Sequence, residues 1–495
     1  MISRILNDKK YFNLTLLFIV LFSVVLNIIL YYAGFYSISA DESGRTIHAY
    51  KWIKGNYEGI PTWLPFHTIV MGLGLKIFPD LFFTPRIIIS IFGVLAFASF
   101  IWLTHELFKD RYITLLSGVI ALFFPSRVIL SSVPLSESIF FFFVFTGIAF
   151  FTRWLNSNKN HLLFLSALAF AFSSSVRYEG WLFSASLVFV LIFFKWLKTE
   201  EVKTKTIIIT CLIGLIFPVY WFIYQSGGAD NPFHFFYDVN KNFERALGTS
   251  FFSILKHNYL TRFIHHNLIY LCFPGVIASF YLFLRNGKIR KWMSLILISF
   301  IPLILISFTG RGIPTHNIWR IPELWNILLI PFTAYFIKNL DSFEIKYLKN
   351  LRKGAVPLII IVMLIYYSFH IFRYIDDEHH FSKEEFRVGR YLEQNLIEAE
   401  PNSKILIEIP DWSYLHIVAA SNHPENFIKS SEGGDPRLIR DPSITDSSRI
   451  DLAELTDKNI GFILVKSQEL ENKIQHNPFF KEIKKFKEWI LYEIR

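Results

Sequence analysis

The stretch SISADESGRTIHAYKWIKG, residues 37–55, sets two adjacent carboxylates, Asp41 and Glu42, just past a long apolar run. A carboxylate held at such a boundary can serve as a general base, a contribution worth about 10²–10⁴-fold in rate. A like charge beside it in a partly dry site raises the apparent pKa values of the pair. Arginines recur in comparable surroundings. Arg45 lies in the same stretch, Arg127 and Glu137 in PSRVILSSVPLSES, Arg177 and Glu179 in SSSVRYEGWLF, and Arg311, His316 and Arg320 in GRGIPTHNIWRIPELW. A guanidinium can hold a phosphate through two parallel hydrogen bonds, so the set pairs a base with anion-binding groups. Asp230, His234 and Asp238 in GGADNPFHFFYDV add a further charged connection. Carboxylates with His67 or His316 could bind a metal, but no ligand spacing demands one, and neither metal nor cofactor is expected.

Each of these residues also has a plain structural reading. Interfacial charges often only anchor a helix end, because long side chains reach water cheaply. Arg177 and Glu179 can form a local ion pair around a tight turn. The case for chemistry rests on recurrence, since five separate connections carry acids, arginines or histidines.

The elements that must position them are membrane spans. The 495-residue chain is 53% hydrophobic and 18% aromatic, and its repeated uncharged runs mark a polytopic membrane protein. Candidate spans are 12–35, 84–106, 112–127, 135–153, 161–177, 180–196, 206–226, 264–284, 292–310, 321–338 and 355–373. That is about eleven spans of roughly 20 residues each. The segment TWLPFHTIVMGLGLKIF, residues 62–78, contains Pro65, His67 and Lys76 and reads as a helix on the membrane surface. With a cytoplasmic N-terminus, Lys and Arg concentrate in HELFKDRY, RWLNSNKNH, KWLKTEEVKTK, RNGKIRKW and KNLDSFEIKYLKNLRK, the positive-inside pattern. The acid- and arginine-bearing connections then all face away from the cytoplasm. The net charge of +10 is largely topological and implies no nucleic-acid partner. Cys211 and Cys272 sit inside apolar runs and suggest neither a disulfide framework nor a cysteine metal site.

Beyond residue 373 the periodicity changes. SKEEFRVGRYLEQNLIEA reads as an amphipathic helix, KILIEIP and IGFILVK as buried strands, DWSYLHIVAAS and SRIDLAELTDKN as helices, and EWILYEI as a last strand. The expected architecture is mainly α: a transmembrane domain over 1–373, followed by a small extracytoplasmic α/β domain over 374–495.

In this order, the motifs resemble the GT-C superfamily of polyprenyl-phosphate-sugar-dependent glycosyltransferases. The likeness is strongest to the branch of protein O-mannosyltransferases and the lipid A aminoarabinose transferase. It is carried by the acid pair in ADESGRTIHAYKWIKG, the Trp-Pro helix that follows, PRIIISIFGVLAFASFIWLTHELFKDR, FPSRVILSSVPLSESIFFFFVF with SSVRYEGWLF, and THNIWRIPELWNILLIPFTAYF. Two departures stand out. Ser136 and Glu137 occupy a region where many relatives carry an aspartate, and Arg45 stands one residue later than in some. The oligosaccharyltransferase signature WWDYG is represented only by DWSY, residues 411–414, which argues against en bloc oligosaccharide transfer.

The resemblance implies transfer of one sugar from a polyprenyl phosphate to an acceptor hydroxyl on protein, lipid or glycan, usually with inversion, at a multi-pass cell-membrane enzyme. Asp41 fits the general base, and Glu42 can orient it or the sugar. Arg320 and Arg177 lead as phosphate-binding groups, with Arg127 and Arg45 behind, and Glu137, Glu179, His67 and His316 complete the expected lining. A glycan ligase or polymerase is the nearest alternative. A secondary transporter or flippase would instead place its charges near mid-span.

Overall fold

The computed structural model describes residues 6–56, 63–197, 202–226, 254–256, 258–309, 318–339, 352–376, 383–409, 411–429, 455 and 459–495. Its helical part opens with α1 (Lys9–Tyr32), capped by the Asp8 carboxylate, which accepts from the Lys10 N–H at 2.7 Å. Phe12, Ile19, Ser23, Asn27 and Leu30 form its buried stripe, while Leu14, Phe18, Leu21 and Val25 remain exposed. A hydrophobic face left open in this way suits a lipid environment. The polar Asn27 is satisfied across the bundle: it donates to the Ser131 carbonyl at 3.3 Å and accepts from the Ser131 hydroxyl at 3.0 Å. A turn through Gly34, at φ +83°, leads to α2 (Asp41–Ile53), and α3 (Pro65–Ile77) packs against it.

The bundle continues through α4 (Phe83–Phe108), α5 (Arg111–Phe123), α6 (Pro125–Leu130), α7 (Glu137–Ser157), α8 (Asn160–Val176), α9 (Glu179–Trp196) and α10 (Thr204–Ser226). After it come α11 (Tyr259–Ile269), α12 (Phe273–Arg285), α13 (Gly287–Phe308), a 3₁₀ turn at Ile318–Arg320, α14 (Glu323–Lys338) and α15 (Arg352–Asp376). Among the described residues six helices are long and apolar enough to cross a membrane: α1, α4, α7, α9, α10 and α13. The pair α11 and α12 adds a seventh if it is one bent span, and α5, α8 and the 357–373 part of α15 are shorter apolar helices.

The expected count of about eleven spans is therefore not confirmed by the described residues. The candidate at 264–284 is broken by 110° between α11 and α12. There Leu271 takes a φ of +54° and Pro274 lies in the first turn of the second helix. The candidate at 112–127 ends at Phe123, because Pro125 holds Phe124 extended at ψ 117°.

The C-terminal part holds α16 (Lys383–Leu392), β1 (Lys404–Ile407), α17 (Tyr414–Ala420), β2 (Phe427–Lys429), β3 (Ile460–Val465), α18 (Gln468–Ile474), β4 (Phe480–Lys485) and β5 (Ile490–Ile494). The strands form one sheet in the order β2-β1-β3-β5-β4, with β1 parallel to both β2 and β3, and β5 antiparallel to both β3 and β4. Alternation sends Ile405, Ile407, Phe462, Leu464 and Leu491 to one face and Leu406, Ile463, Val465, Ile490 and Tyr492 to the other. Burial on both faces explains the unbroken apolar runs of β1 and β3. The segment SRIDLAELTDKN lies almost wholly outside the described residues.

Candidate active site at one end of the bundle

Four of the connections that carry charge, those with Asp41, Glu137, Arg177 and Arg320, meet at one end of the helices. Glu137 begins α7, fully buried, and its Oε1 accepts from two arginines of distant segments. Arg320, in the 3₁₀ turn, reaches it through Nε at 2.7 Å and Nη2 at 2.6 Å. Arg177, between α8 and α9, reaches it through Nη1 at 2.7 Å and also grips Glu179 Oε1 at 2.6 Å. Arg177 donates further to the Ser136 hydroxyl at 3.2 Å. Burial opposes the charge on both arginines, but their carboxylate partners outweigh it and raise both above the ordinary value. The turn is tight because Gly180 has no side chain: a Cβ there would stand 2.5 Å from the Ser173 carbonyl group.

Asp41 completes the cluster. Its Oδ2 is 3.6 Å from Arg320 Nη1, and its side chain keeps 46% exposure while that of Arg320 keeps 3%. The carboxylate is thus open on one side and held near a fixed cation on the other. Arg45 lies one turn farther along α2, its guanidinium 4.7 Å from the Trp63 ring centre. Among the described residues no carboxylate is within ion-pair distance of it, and its buried Nε has no hydrogen-bond partner. Burial pulls Arg45 down to about 10, opposed by Asp41 and Glu137, so it stays charged at neutral pH. His67, on α3, is 1% exposed, and burial followed by Arg45 pulls it down to about 3. A neutral His67 next to Arg45 adds no competing cation to the cluster.

Other expected residues lie elsewhere. Glu42 does not face the cluster. It folds back to accept from the Ile38 N–H at 2.8 Å, the Ser39 N–H at 3.2 Å and the Ser39 hydroxyl at 2.8 Å. It is raised to about 7, mainly by burial, with the neighbouring Asp41 a smaller contributor. Arg127 also stands apart: it donates to the Leu122 carbonyl at 2.7 Å and lies 4.6 Å from the Phe97 ring centre, with no acid paired to it among the described residues. His316, Arg311, Asp230, His234 and Asp238 lie outside the described residues. No group of three or more potential metal ligands occurs among the described residues.

The sequence reading missed a second buried cluster behind the first. Glu323, three residues past Arg320, accepts from the Ser126 hydroxyl at 2.5 Å, pairs with His266 Nδ1 and accepts from Asn326 at 3.3 Å. It ties the Arg320 turn to α6 and α11. The only signal for it was an acid in the otherwise apolar stretch IPELW. Arg86, at the head of PRIIISIF, was given no role by sequence; it donates to the carbonyls of Phe82 and Tyr36, at 2.5 and 2.6 Å, and pins the approach to α2.

No protein-family model matches the chain, and no curated protein matches it. Solved structures do. ArnT from Cupriavidus metallidurans, bound to undecaprenyl phosphate, superposes with a TM-score of 0.66 at 11% identity, covering 96% of this chain and 97% of that one. The archaeal oligosaccharyltransferase AglB from Archaeoglobus fulgidus, in complex with an inhibitory peptide and a dolichol-phosphate, gives 0.54 at 14% identity, covering 92% of this chain and 69% of that one. The chain has the fold of the GT-C membrane glycosyltransferases.

Proposed function

We propose that this protein is a membrane glycosyltransferase that moves a sugar from a polyprenyl-phosphate donor to an acceptor hydroxyl on the extracytoplasmic side, with Asp41 as general base. The observation that carries the reading is the convergence of Asp41, Glu137, Arg177 and Arg320, from four separated segments, at one end of a bundle with the GT-C fold. The half-exposed Asp41 carboxylate can take the proton of an acceptor hydroxyl as its oxygen attacks the anomeric carbon. The bond from that carbon to the phosphate oxygen breaks, and the leaving phosphate takes the electron pair.

The phosphate needs a cation that is not already spent. Arg177 and Arg320 are engaged by Glu137 and Glu179, which favours Arg45 as the group that grips it. Arg320 then holds the Asp41 carboxylate in place, and Arg177 holds Glu137. This order differs from the one that sequence alone suggests, where Arg320 and Arg177 came first. Fixed charge facing a developing phosphate is commonly a large catalytic contribution.

The decisive experiment is Asp41→Asn in purified, reconstituted protein, assayed with undecaprenyl-phosphate-linked sugars and analysed by mass spectrometry of the products. Loss of transfer with normal membrane insertion is expected. Near-normal turnover removes Asp41 from the mechanism.

A further inference from the structure

The helix that carries Asp41 is used on two sides. Residues three or four apart share a helix face, and Asp41, Arg45 and His48 form one stripe of α2. Along it Arg45 and His48 both meet Trp63, and Asp41 meets Arg320. Ser43, Ile47 and Tyr50 form the opposite stripe, and all three contact the C-terminal domain. Ile47 is part of that domain's own core, with Val388, Ile417, Leu464 and Trp489. Tyr50 donates to Glu425 at 3.0 Å.

Ser43 meets His416, which is fully buried on α17. The Ser43 hydroxyl is 2.8 Å from His416 Nδ1, and the Ser37 hydroxyl, in the turn before α2, is 3.4 Å from Nε2. The proton positions follow from the partners. Ser37 spends its one hydrogen on the Ser39 carbonyl at 2.8 Å, so it can only accept from the ring. His416 therefore carries its proton on Nε2, and Nδ1 accepts from Ser43. Burial and the nearby Arg86 keep the ring neutral, with a value of about 3.

Glu42 and Arg86 hold the turn that leads into α2, but among the described residues neither hydrogen-bonds across to the C-terminal domain. The N-cap of α2, Ala40, offers no side-chain hydrogen bond, and the chain reaches it through the Gly34 turn. We infer that His416 of the C-terminal domain is a positioning residue for the Asp41 helix, gripping the turn before it through Ser37 and its first turn through Ser43. This rests on the reading of Asp41 as the base; the experiment below keeps the two separable.

The full chain is compared with Ser43→Ala, His416→Leu, the double variant and His416→Asn, which returns an acceptor near the Nδ1 position. Two readouts are taken: backbone amide exchange over residues 41–53, and the kcat and KM for the undecaprenyl-phosphate-linked sugar that the unsubstituted protein turns over. Ser43→Ala and His416→Leu should each speed exchange in α2 but not in α7 or α8. Each should lower kcat by about 10- to 100-fold, the cost of a small misplacement, with KM within about twofold. The double variant should lose no more than the worse single one, and His416→Asn should recover part of the loss. Unchanged exchange in Ser43→Ala, which deletes one oxygen and is expected to fold, overturns the inference. Raised exchange with unchanged kcat overturns it as well. If Asp41→Asn proves active, the base assignment falls, and the exchange measurement still decides whether His416 holds the helix.

Discussion

Asp41 and Glu42 are neighbours with opposite surroundings, one half exposed beside Arg320 and the other sealed against the backbone of residues 38 and 39. The folded Glu42 titrates at about 7 against an ordinary 4.5, so between those values the folded chain holds more protons than the unfolded one. Its contribution to stability is therefore full below about 4.5 and is lost as the pH rises through about 7. Glu42→Gln should remove this part of the pH dependence, leaving a smaller fall in melting temperature between pH 5 and pH 8 than in the parent. For Arg45, replacement by Ala removes the unspent cation and should lower kcat/KM by about 10- to 100-fold, the worth of a charged hydrogen bond. Arg45→Lys should recover only part, since an ammonium lacks the two-pronged geometry. The sequence made both acids visible but could not tell them apart, because adjacency along a chain does not say which side chain a turn folds inward. It likewise exposed the arginines, and offered the Arg177–Glu179 pair, without showing that Glu137 engages both Arg177 and Arg320.

Elements were legible where one physical rule dominated. Long apolar runs yielded α1, α4, α7, α9, α10 and α13, and the doubly buried strands β1 and β3 stood out for the same reason. The Lys-rich β4, FKEIKK, was missed because an edge strand carries charges that break the alternation of a half-buried strand. The bend between α11 and α12 was missed because hydropathy does not register a left-handed residue before a proline. Gly180 gives a test at this scale. Gly180→Ala pushes a methyl group into the Ser173 backbone, so the α8–α9 turn must open, at a cost of about 1–3 kcal/mol. A lowered melting temperature and weakened turnover should appear together, because Arg177 sits in that turn.

At the scale of the whole molecule, the charge asymmetry of the loops predicts which way the bundle faces. In a chain with Cys211 and Cys272 replaced by serine, a cysteine at the exposed Lys51 should react with a membrane-impermeant maleimide applied outside intact cells. One at the exposed Lys159, at the far end of α7, should react only after the membrane is opened. The reverse pattern would put the Asp41 end in the cytoplasm. The two-sided use of α2 bears on how such a chain can be re-engineered. Its inward stripe answers to the bundle, while its outward stripe completes the hydrophobic interior of a unit encoded more than 300 residues later. A hybrid that joins this bundle to another protein's soluble unit should insert and fold yet work poorly. Exchanging Ser43, Ile47 and Tyr50 along with the graft should restore it, so the seam between the halves runs through the middle of one short helix.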